Sequence, residues 1–307
     1  MNNHSTDGIF DEVTEFPDPE TKRRLERLVG LDEVKERLVK EAMMQLQPSS
    51  LEEWSLRHFD HLLPALCFFQ RRPPLFILAG DVGTGKTELA ETFGDAVSRK
   101  AGIPILLHSL SLTARGTGAV GEMTRLISAA FAMIKSQAAC LTDRQAATTG
   151  HILLIDEADA LAQSRESAQM HHEDRAGVNA LIRGIDDLAE GRRPVLVVMC
   201  TNRLRALDPA VMRRAAATFE FSRPNAEQRR VVLRNAFPEY VCSESELTRI
   251  VELTGNRDVG AGFSFSDITQ RLVPSVVLAA YPNQGINAEL IASVALTIKP
   301  TPTFTEV

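Results

Sequence analysis

Short apolar runs alternate along this chain with longer stretches in which apolar positions recur at helical spacing. The runs predict strands near Leu75, Ile105, Ile152, Val195 and Ala217, and the stretches between them predict helices. Strands that alternate with helices favour a parallel sheet, because each crossover helix returns the chain to start the next strand in the same direction. The pattern therefore predicts an α/β fold with a parallel sheet flanked by helices.

The last part of the chain has a different pattern. After Pro224, apolar positions recur at helical spacing as far as Ile298. The helices predicted there are 227–237, 244–254, 266–281 and 288–298. We expect them to form a small all-helical lid.

Changes in pattern and composition indicate where domains begin and end. The predicted bounds are a polar N-terminal leader over 1–27, a large α/β domain over 28–223, the lid over 224–299 and a flexible tail over 300–307. The leader is too short to form a domain. The tail is predicted to be extended because Pro300 and Pro302 cannot continue a helix.

Helical spacing also marks residues 34–46 and 51–69, between the leader and the first predicted strand. In the second segment it predicts one apolar stripe, formed by Trp54, Phe59, Leu62, Leu63 and Leu66. We interpret this stripe as part of the hydrophobic core rather than as a ligand-binding surface.

A glycine-rich segment follows the first predicted strand of the large domain. It reads Gly80-Asp81-Val82-Gly83-Thr84-Gly85-Lys86-Thr87 and fits the phosphate-binding pattern G-x-x-x-x-G-K-[ST]. Its glycines let backbone N–H groups surround phosphates, and the helix that opens at Glu88 adds its unpaired donors. Lys86 is expected to reach the β and γ phosphates and Thr87 to bind Mg²⁺. The segment predicts a site for a nucleoside triphosphate; a chance glycine turn is the alternative.

A second motif makes the chance turn a poor explanation. The apolar strand at Ile152-Leu153-Leu154-Ile155 ends in the adjacent carboxylates Asp156 and Glu157. Successive side chains at a strand end point in different directions, so Asp156 can hold Mg²⁺ while Glu157 polarises the attacking water. Paired acids at this position could alternatively cap a following helix.

The next strand, Val195 to Cys200, is followed by Thr201-Asn202-Arg203. Its end places the Asn202 amide at the same edge of a parallel sheet as the paired carboxylates. Asn202 is therefore expected to orient the attacking water.

Two arginines lie in Leu207-Asp208-Pro209-Ala210-Val211-Met212-Arg213-Arg214. We expect neither to reach the phosphates of its own subunit easily, so both are interpreted as arginine fingers offered to a neighbouring subunit. Such fingers neutralise charge on the transferred phosphoryl group. A solvated basic helix end is the alternative.

The chain resembles the AAA+ ATPases, because GDVGTGKT, ILLIDEAD, a strand ending in TNR and LDPAVMRR occur in the order and spacing of that family. The resemblance runs roughly from Leu28 to Leu296. In that family the segment matching Leu28 to Lys35 lines the adenine pocket, and Gly262 to Ile268 is similar to the small-domain signature. The resemblance implies a P-loop NTPase fold with a helical lid, and hydrolysis in a ring whose nucleotides lie at subunit interfaces.

These motifs assign the candidate site residues. The catalytic residues are Glu157, Asn202, Arg213 and Arg214; the nucleotide-binding residues are Gly30, Gly80, Val82, Gly83, Thr84, Gly85, Lys86, Thr87 and Glu88; the metal ligands are Thr87 and Asp156; and the pore-loop residues are Ala119 and Val120.

Within the AAA+ superfamily, the chain resembles the pachytene-checkpoint ATPases and their short bacterial relatives. The resemblance lies in Ser109-Leu110-Ser111-Leu112, in the helix from Val178 to Asp186, and in the polar insert from Lys135 to Gly150. It implies a homo-hexamer that converts a HORMA-domain protein from a closed, peptide-bound state to an open one. For the bacterial relatives it further implies that this switches off an anti-phage complex with a cyclic-nucleotide synthase.

The chain departs from its family at two places. Where unfoldases carry an aromatic pore residue, this chain has Ala119 followed by Val120, and a methyl group grips an extended polypeptide less well than a ring. This favours a limited pull on a flexible terminus over processive threading. In the small domain, Ser266 stands where the pachytene-checkpoint proteins have an arginine, and Arg271 lies slightly more than one helical turn further on.

Composition narrows the alternatives. The chain has 307 residues with a formal net charge of −6, and its basic pairs are scattered, which argues against a primary nucleic-acid binder. Its 4 cysteines show no disulfide or metal-binding spacing. The adjacent His171 and His172 lack a second ligand pair and are interpreted as a polar loop. No segment approaches the roughly 18 apolar residues of a membrane span, so we expect a cytoplasmic protein with no membrane partner.

Alternative functions share the same ATPase core. A nucleic-acid motor or loader would be stimulated by DNA. A nonenzymatic nucleotide switch would not need to retain both Glu157 and the arginines.

Overall fold

The computed structural model describes residues 8–70, 72–111, 121–142, 145–161, 172–256 and 260–303. The strands are β1 (Glu12–Phe16), β2 (Leu75–Gly80), β3 (Ile105–Ser111), β4 (Gly150–Asp156), β5 (Val195–Thr201) and β6 (Ala215–Phe221). The helices are α1 (Pro19–Arg27), α2 (Asp32–Leu46), α3 (Ser49–Phe59), α4 (Leu66–Gln70), α5 (Lys86–Ala101), α6 (Glu122–Gln137), α7 (His172–Ala189), α8 (Pro209–Met212), α9 (Ala226–Ala236), α10 (Glu244–Leu253), α11 (Val273–Ala280) and α12 (Ala288–Thr297). A π-helical segment, Asp267–Leu272, leads directly into α11.

Contacts within the chain divide it into two compact units. The sheet unit contains the described residues of 1–26, 33–79 and 87–220. The lid unit contains the described residues of 27–32, 80–86 and 221–307. The lid unit thus includes the phosphate loop, 80–86, and a short segment near the N-terminus in addition to the predicted lid helices. The domain bounds drawn from the sequence remain predictions.

In the described part of the chain, the strands form one six-stranded sheet in the order β1-β3-β4-β5-β2-β6. The pairs β3–β4, β4–β5 and β2–β5 are parallel, as the sequence pattern predicts. Parallel order places the carboxyl ends of β4 and β5 at one edge of the sheet, where the paired carboxylates and Asn202 follow. The predicted α/β fold is confirmed.

The strand β1 is a departure from an all-parallel sheet. It lies within the residues interpreted as a polar leader and pairs antiparallel with β3, from Glu12 opposite Ser109 to Phe16 opposite Ile105. Its sequence, EVTEF, is mostly polar, and Phe16 at its end is fully buried. Such a short segment with charged residues suits an edge strand, which needs only one partner.

The sheet unit has a core formed between the sheet and the helices α6 and α7. Leu75, Ile77, Leu153 and Ile155 of the strands belong to one buried cluster with residues of both helices. The two helices approach closely at Gly184, because a Cβ there would lie 2.3 Å from Cγ of Phe131. Small and large residues therefore interlock at this contact.

The predicted apolar stripe on 51–69 is wrong for most of its residues. Leu66 is buried, but Trp54 and Phe59 are 44% and 48% exposed, and Leu62 is exposed as well. The buried residues of α3 are polar instead, namely Ser49, Glu52 and Ser55. Two of them have identified partners, because Oε1 of Glu52 pairs with Arg192 and the Ser55 hydroxyl donates to the His61 carbonyl. Helical spacing alone could not reveal these partners, since Arg192 is distant in sequence.

The lid unit has its own core among α9, α10, the π-helical segment, α11 and α12. Its most deeply buried members include Leu233, Phe263, Ile268 and Ile291. The helices lie where the apolar spacing predicts them. The first begins just after Pro224 because Asn225 and Gln228 form a reciprocal capping box that satisfies backbone N–H groups at its N-terminus.

Candidate nucleotide-binding site

The phosphate loop needs glycine at positions where no side chain fits. At Gly83 the backbone has φ of 72°, and a Cβ would lie 2.6 Å from Oγ of Ser264. At Gly80 a Cβ would lie 2.1 Å from the carbonyl oxygen of Phe221. In addition, the Gly83 carbonyl accepts a hydrogen bond of 3.1 Å from the backbone N–H of Ser266. The loop therefore packs directly on the segment that resembles the family's small-domain signature.

Lys86 is buried at the start of α5, and its ammonium group lies over the loop. It donates to the carbonyl oxygens of Gly80, at 2.9 Å, and Asp81, at 2.8 Å. The Thr84 hydroxyl donates to the Asp81 carbonyl at 2.7 Å. A positive group held among carbonyl oxygens at a helix N-terminus is suited to bind phosphate oxygens.

Gly30, predicted to lie near the adenine, belongs to the same unit as the phosphate loop. Its carbonyl accepts a hydrogen bond of 2.7 Å from the Gln228 side chain, which leaves no space for a Cβ at Gly30. A Cβ at Gly85 would be in ordinary van der Waals contact with Leu28 and Leu31. The segment 28–31 therefore runs alongside the phosphate loop.

Glu88 is predicted to bind nucleotide, but its carboxylate has a partner within the chain. Arg24 donates to both oxygens of Glu88, at 2.8 and 2.9 Å, and also to Glu91 at 2.5 Å. These bonds, chiefly the one to Glu88, raise the pKa of Arg24 above its usual range. The structure thus links α1 to α5, and a contact between Glu88 and nucleotide remains a prediction.

The acidic edge is formed by Asp156, Glu157 and Asp159 at the end of β4. The Thr87 hydroxyl lies 3.4 Å from Oδ1 of Asp156, which also accepts a hydrogen bond of 2.8 Å from the backbone N–H of Glu157. Glu157 is exposed and has φ of 53°, a left-handed conformation that is uncommon outside glycine. Backbone strain of this kind is concentrated at functional sites.

Asn202 reaches the same edge through β5, which pairs with β4 from His151 to Ile155. Its backbone N–H donates to the Asp159 carboxylate at 3.1 Å, and the Thr201 hydroxyl donates to the same carboxylate. Asp159 thereby connects the ends of both strands. Its role was not predicted, although it lies within the acidic motif.

The two predicted arginine fingers differ in their surroundings. They follow α8, which begins at Pro209 because Asp208 caps it with a hydrogen bond to the Ala210 N–H. Arg214 forms a bidentate ion pair with Asp186, at 2.6 and 2.8 Å, which raises its pKa. Arg213 is exposed, and its side chain makes no hydrogen bond or ion pair with any described residue. Of the two, only Arg213 has a guanidinium that no described residue engages, and the finger role of both remains a prediction.

The remaining sequence predictions have mixed outcomes. Arg271 donates to the buried Asp267 carboxylate at 2.7 Å, so its guanidinium is engaged within the lid. Ala119, Val120 and His171 lie outside the described residues. Among the described helices, none combines the length and apolar character that a membrane span requires. Groups of three or more metal-ligating His, Cys, Asp or Glu side chains are likewise not found in the described ranges.

Comparison with known proteins places the chain in a family. The family model described as ATPase family associated with various cellular activities (AAA) matches residues 76–223. CD-NTase-associated protein 6 of Escherichia coli strain MS 115-1 is 52% identical over 302 residues, which cover 98% of this chain and 97% of the relative. The chain belongs to the AAA ATPase family.

Solved structures refine this assignment. The AAA ATPase is similar to a chain of the E. coli MS115-1 HORMA:CdnC:Trip13 complex, with a TM-score of 0.88 and 52% identity over 96% of this chain and 97% of that one. It is also similar to Trip13 of Rhizobiales, with a TM-score of 0.73 and 43% identity over 95% and 99% of the two chains. The resemblance to the pachytene-checkpoint group and its bacterial relatives is thereby confirmed.

Proposed function

We propose that this AAA ATPase hydrolyses ATP and uses the energy to convert a HORMA-domain protein from a closed, peptide-bound state to an open one. The observation that carries the hydrolytic part is the contact of 3.4 Å between Thr87 and Asp156, with Glu157 next in the chain. The remodelling part is supported by the similarity to a chain of the HORMA:CdnC:Trip13 complex.

Lys86 and the backbone N–H groups of the phosphate loop bind the triphosphate in this proposal. The Lys86 ammonium exchanges its bonds to the Gly80 and Asp81 carbonyls for bonds to phosphate oxygens. The ammonium group therefore has oxygen partners both before and after ATP binds, which limits the free-energy cost of removing water from its charge.

Thr87 and Asp156 supply oxygen ligands of the type that Mg²⁺ prefers, and their separation allows both to bind one ion together with phosphate oxygens and water. Bound Mg²⁺ would neutralise charge on the phosphates. Glu157 accepts the proton of the attacking water as the water oxygen bonds to the γ-phosphorus and the bond to the β–γ bridging oxygen breaks. Asn202 orients that water, and ADP and phosphate are the products.

Assembly into a homo-hexamer completes the site, because Arg213 is exposed and is supplied to the nucleotide of the next subunit. Opening of the HORMA-domain protein would release its peptide and switch off the cyclic-nucleotide synthase complex that it supports. We further propose that this activity is cytoplasmic.

Steady-state ATP hydrolysis tests this proposal directly. The rate is measured alone, with the HORMA-domain protein of the E. coli MS115-1 complex, and with single- and double-stranded DNA. Stimulation by the HORMA-domain protein supports remodelling. Stimulation by DNA alone would instead indicate a nucleic-acid motor.

Glu157→Gln separates binding from hydrolysis. We expect it to retain ATP binding and to lower turnover by roughly 10²-fold to 10⁴-fold, because it removes the proton acceptor. Glu53→Gln, at an exposed position on α3, is the matched control and should hydrolyse ATP normally. Normal turnover by Glu157→Gln would exclude the assigned role of Glu157.

A further inference from the structure

The phosphate loop of the lid unit contains a carboxylate whose charge is neutralised by a residue outside the recognised motifs. Arg223 donates from Nε to Oδ2 of Asp81 at 2.6 Å. Both side chains are largely shielded from water, at 11% and 17% exposure. An ion pair at this depth is screened little by solvent and therefore interacts strongly.

The same guanidinium holds two further chain segments. It donates from Nη1 to the carbonyl of Gly262 at 2.7 Å and from Nη2 to the carbonyl of Thr301 at 2.7 Å. Three fixed donors of one planar group thus join the phosphate loop, the loop before the π-helical segment and the C-terminal segment. A lysine could not reproduce this fork.

Thr301 is itself anchored on its other side. Its backbone N–H and its hydroxyl both donate to the fully buried Asp267 carboxylate, the hydroxyl at 2.7 Å. Asp267 also accepts hydrogen bonds from Ser264 and Arg271. Burial opposes its ionisation, but these hydrogen bonds outweigh burial and lower the pKa of Asp267. The C-terminal segment is therefore fixed between a buried anion and Arg223.

The position of Asp81 gives this network a functional meaning. Asp81 is the second residue of the phosphate-binding pattern, where a triphosphate must approach the backbone. An uncompensated carboxylate there would repel the phosphates, because like charges repel strongly where water is largely excluded. Arg223 removes that repulsion only while its guanidinium is held in place, and the carbonyls of Gly262 and Thr301 hold it.

We propose that Arg223 is a positioning residue for nucleotide binding, which neutralises Asp81 and makes the C-terminal segment around Thr301 a support of the phosphate loop. The inference rests on the proposed ATPase function. It extends that function by giving the C-terminal segment, which follows the last lid helix, a part in nucleotide affinity.

Two truncations of the full chain test the role of the C-terminal segment. One ends at Thr303 and keeps Thr301; the other ends at Pro300 and removes it. The dissociation constant for MgATP, measured by calorimetric titration, should rise roughly tenfold for the shorter chain only, since a hydrogen bond to a charged group is worth about 1.5 kcal/mol or more. A purely structural anchor would lower the thermal midpoint of the shorter chain and leave its ATP affinity unchanged.

A double-mutant cycle on Arg223 and Asp81 tests whether Arg223 neutralises the Asp81 charge. Arg223→Gln should weaken MgATP binding roughly tenfold or more, because it removes the cation that neutralises the largely buried Asp81 carboxylate. Asp81→Asn should bind ATP at least as well as the unsubstituted chain, and the double variant should bind within about threefold of Asp81→Asn. Arg230→Gln, which removes a more exposed pair with Glu244 in the same unit, is the matched control.

The outcomes separate the inference from the function on which it rests. Failure of the unsubstituted chain to bind ATP would refute the proposed function. Normal ATP binding by that chain, with equal affinity in both truncations, would overturn the role of Thr301. If MgATP binding is weakened equally in Arg223→Gln and in the double variant Arg223→Gln/Asp81→Asn, Arg223 does not act by neutralising Asp81. If Arg223→Gln does not fold, the double variant and the truncations decide.

Discussion

The phosphate loop and the acidic edge are held in place by different forces. The acidic edge follows strands whose register is set by a buried parallel ladder, so Asp156, Glu157 and Asn202 are positioned by backbone pairing. The phosphate loop is positioned by side chains, chiefly Arg223, and by contact with Ser264 and Ser266. Substitutions at the acidic edge should therefore act locally on chemistry, whereas those near the loop should act on nucleotide affinity.

The largest expected effect concerns the neighbouring arginines of the sheet unit. Arg213→Ala should lower turnover by roughly 10³-fold, the lower range for an arginine finger, with little change in the thermal midpoint. Arg214→Ala should lower the thermal midpoint as well, because it leaves Asp186 without its bidentate partner. Turnover and thermal unfolding of both variants check this difference.

Mixed rings provide the control for that experiment. Arg213→Ala subunits mixed with Lys86→Ala subunits should regain part of the activity, because each supplies what the other lacks. If mixing restores nothing, Arg213 does not act on a neighbour's nucleotide.

The next effect concerns the stability of the sheet in acid. His108 and His151 are buried on β3 and β4, with Nε2 and Nδ1 3.3 Å apart. Burial, aided by the neighbouring His151, lowers the pKa of His108 from 6.5 to about 4, and burial also lowers the pKa of His151. The unfolded chain therefore binds protons more readily than the folded chain below pH 6.5.

The stabilising contribution of neutral His108 is complete above pH 6.5 and decreases as the pH falls towards 4. At pH 5 we expect a loss of about 2 kcal/mol relative to pH 7, from the single shift of His108. Urea unfolding at pH 5 and at pH 7 measures this loss of folding free energy. The loss should shrink in His108→Phe and persist in His61→Gln, an exposed histidine. An equal loss in both variants would contradict the assignment.

The smallest effect distinguishes backbone strain from close packing at the phosphate loop. Gly83→Ala adds a methyl group 2.6 Å from Oγ of Ser264 at φ of 72°, whereas Gly102→Ala adds one at φ of 68° with nothing within 4 Å. Both should lose about 1 kcal/mol of folding free energy from strain alone. Only Gly83→Ala should also bind ATP more weakly, by roughly tenfold. Equal ATP affinity would mean that the loop tolerates the added group.

Local sequence patterns predicted the elements whose signal is contained in neighbouring residues. The strands before the phosphate loop and the acidic edge, the glycine pattern and the lid helices could all be predicted, because apolar periodicity and turn chemistry act over a few residues. The edge strand β1 was missed, since its five residues carry only a weak alternation. The burial of polar Ser49 and Glu52 in place of Trp54 was missed because it depends on Arg192, far away in sequence.

By itself, the sequence determined that this chain carries a P-loop, a strand ending in paired acids and a helical lid, because each is specified by closely spaced residues. Only the tertiary structure decided which side chains support them. Arg223 and Asp81 are 142 positions apart, and Arg223 and Thr301 are 78 apart. No local pattern connects such residues, since their proximity follows from how the whole unit folds. Likewise, Arg214 and not Arg213 is engaged in an ion pair, because Asp186 on α7 lies beside Arg214.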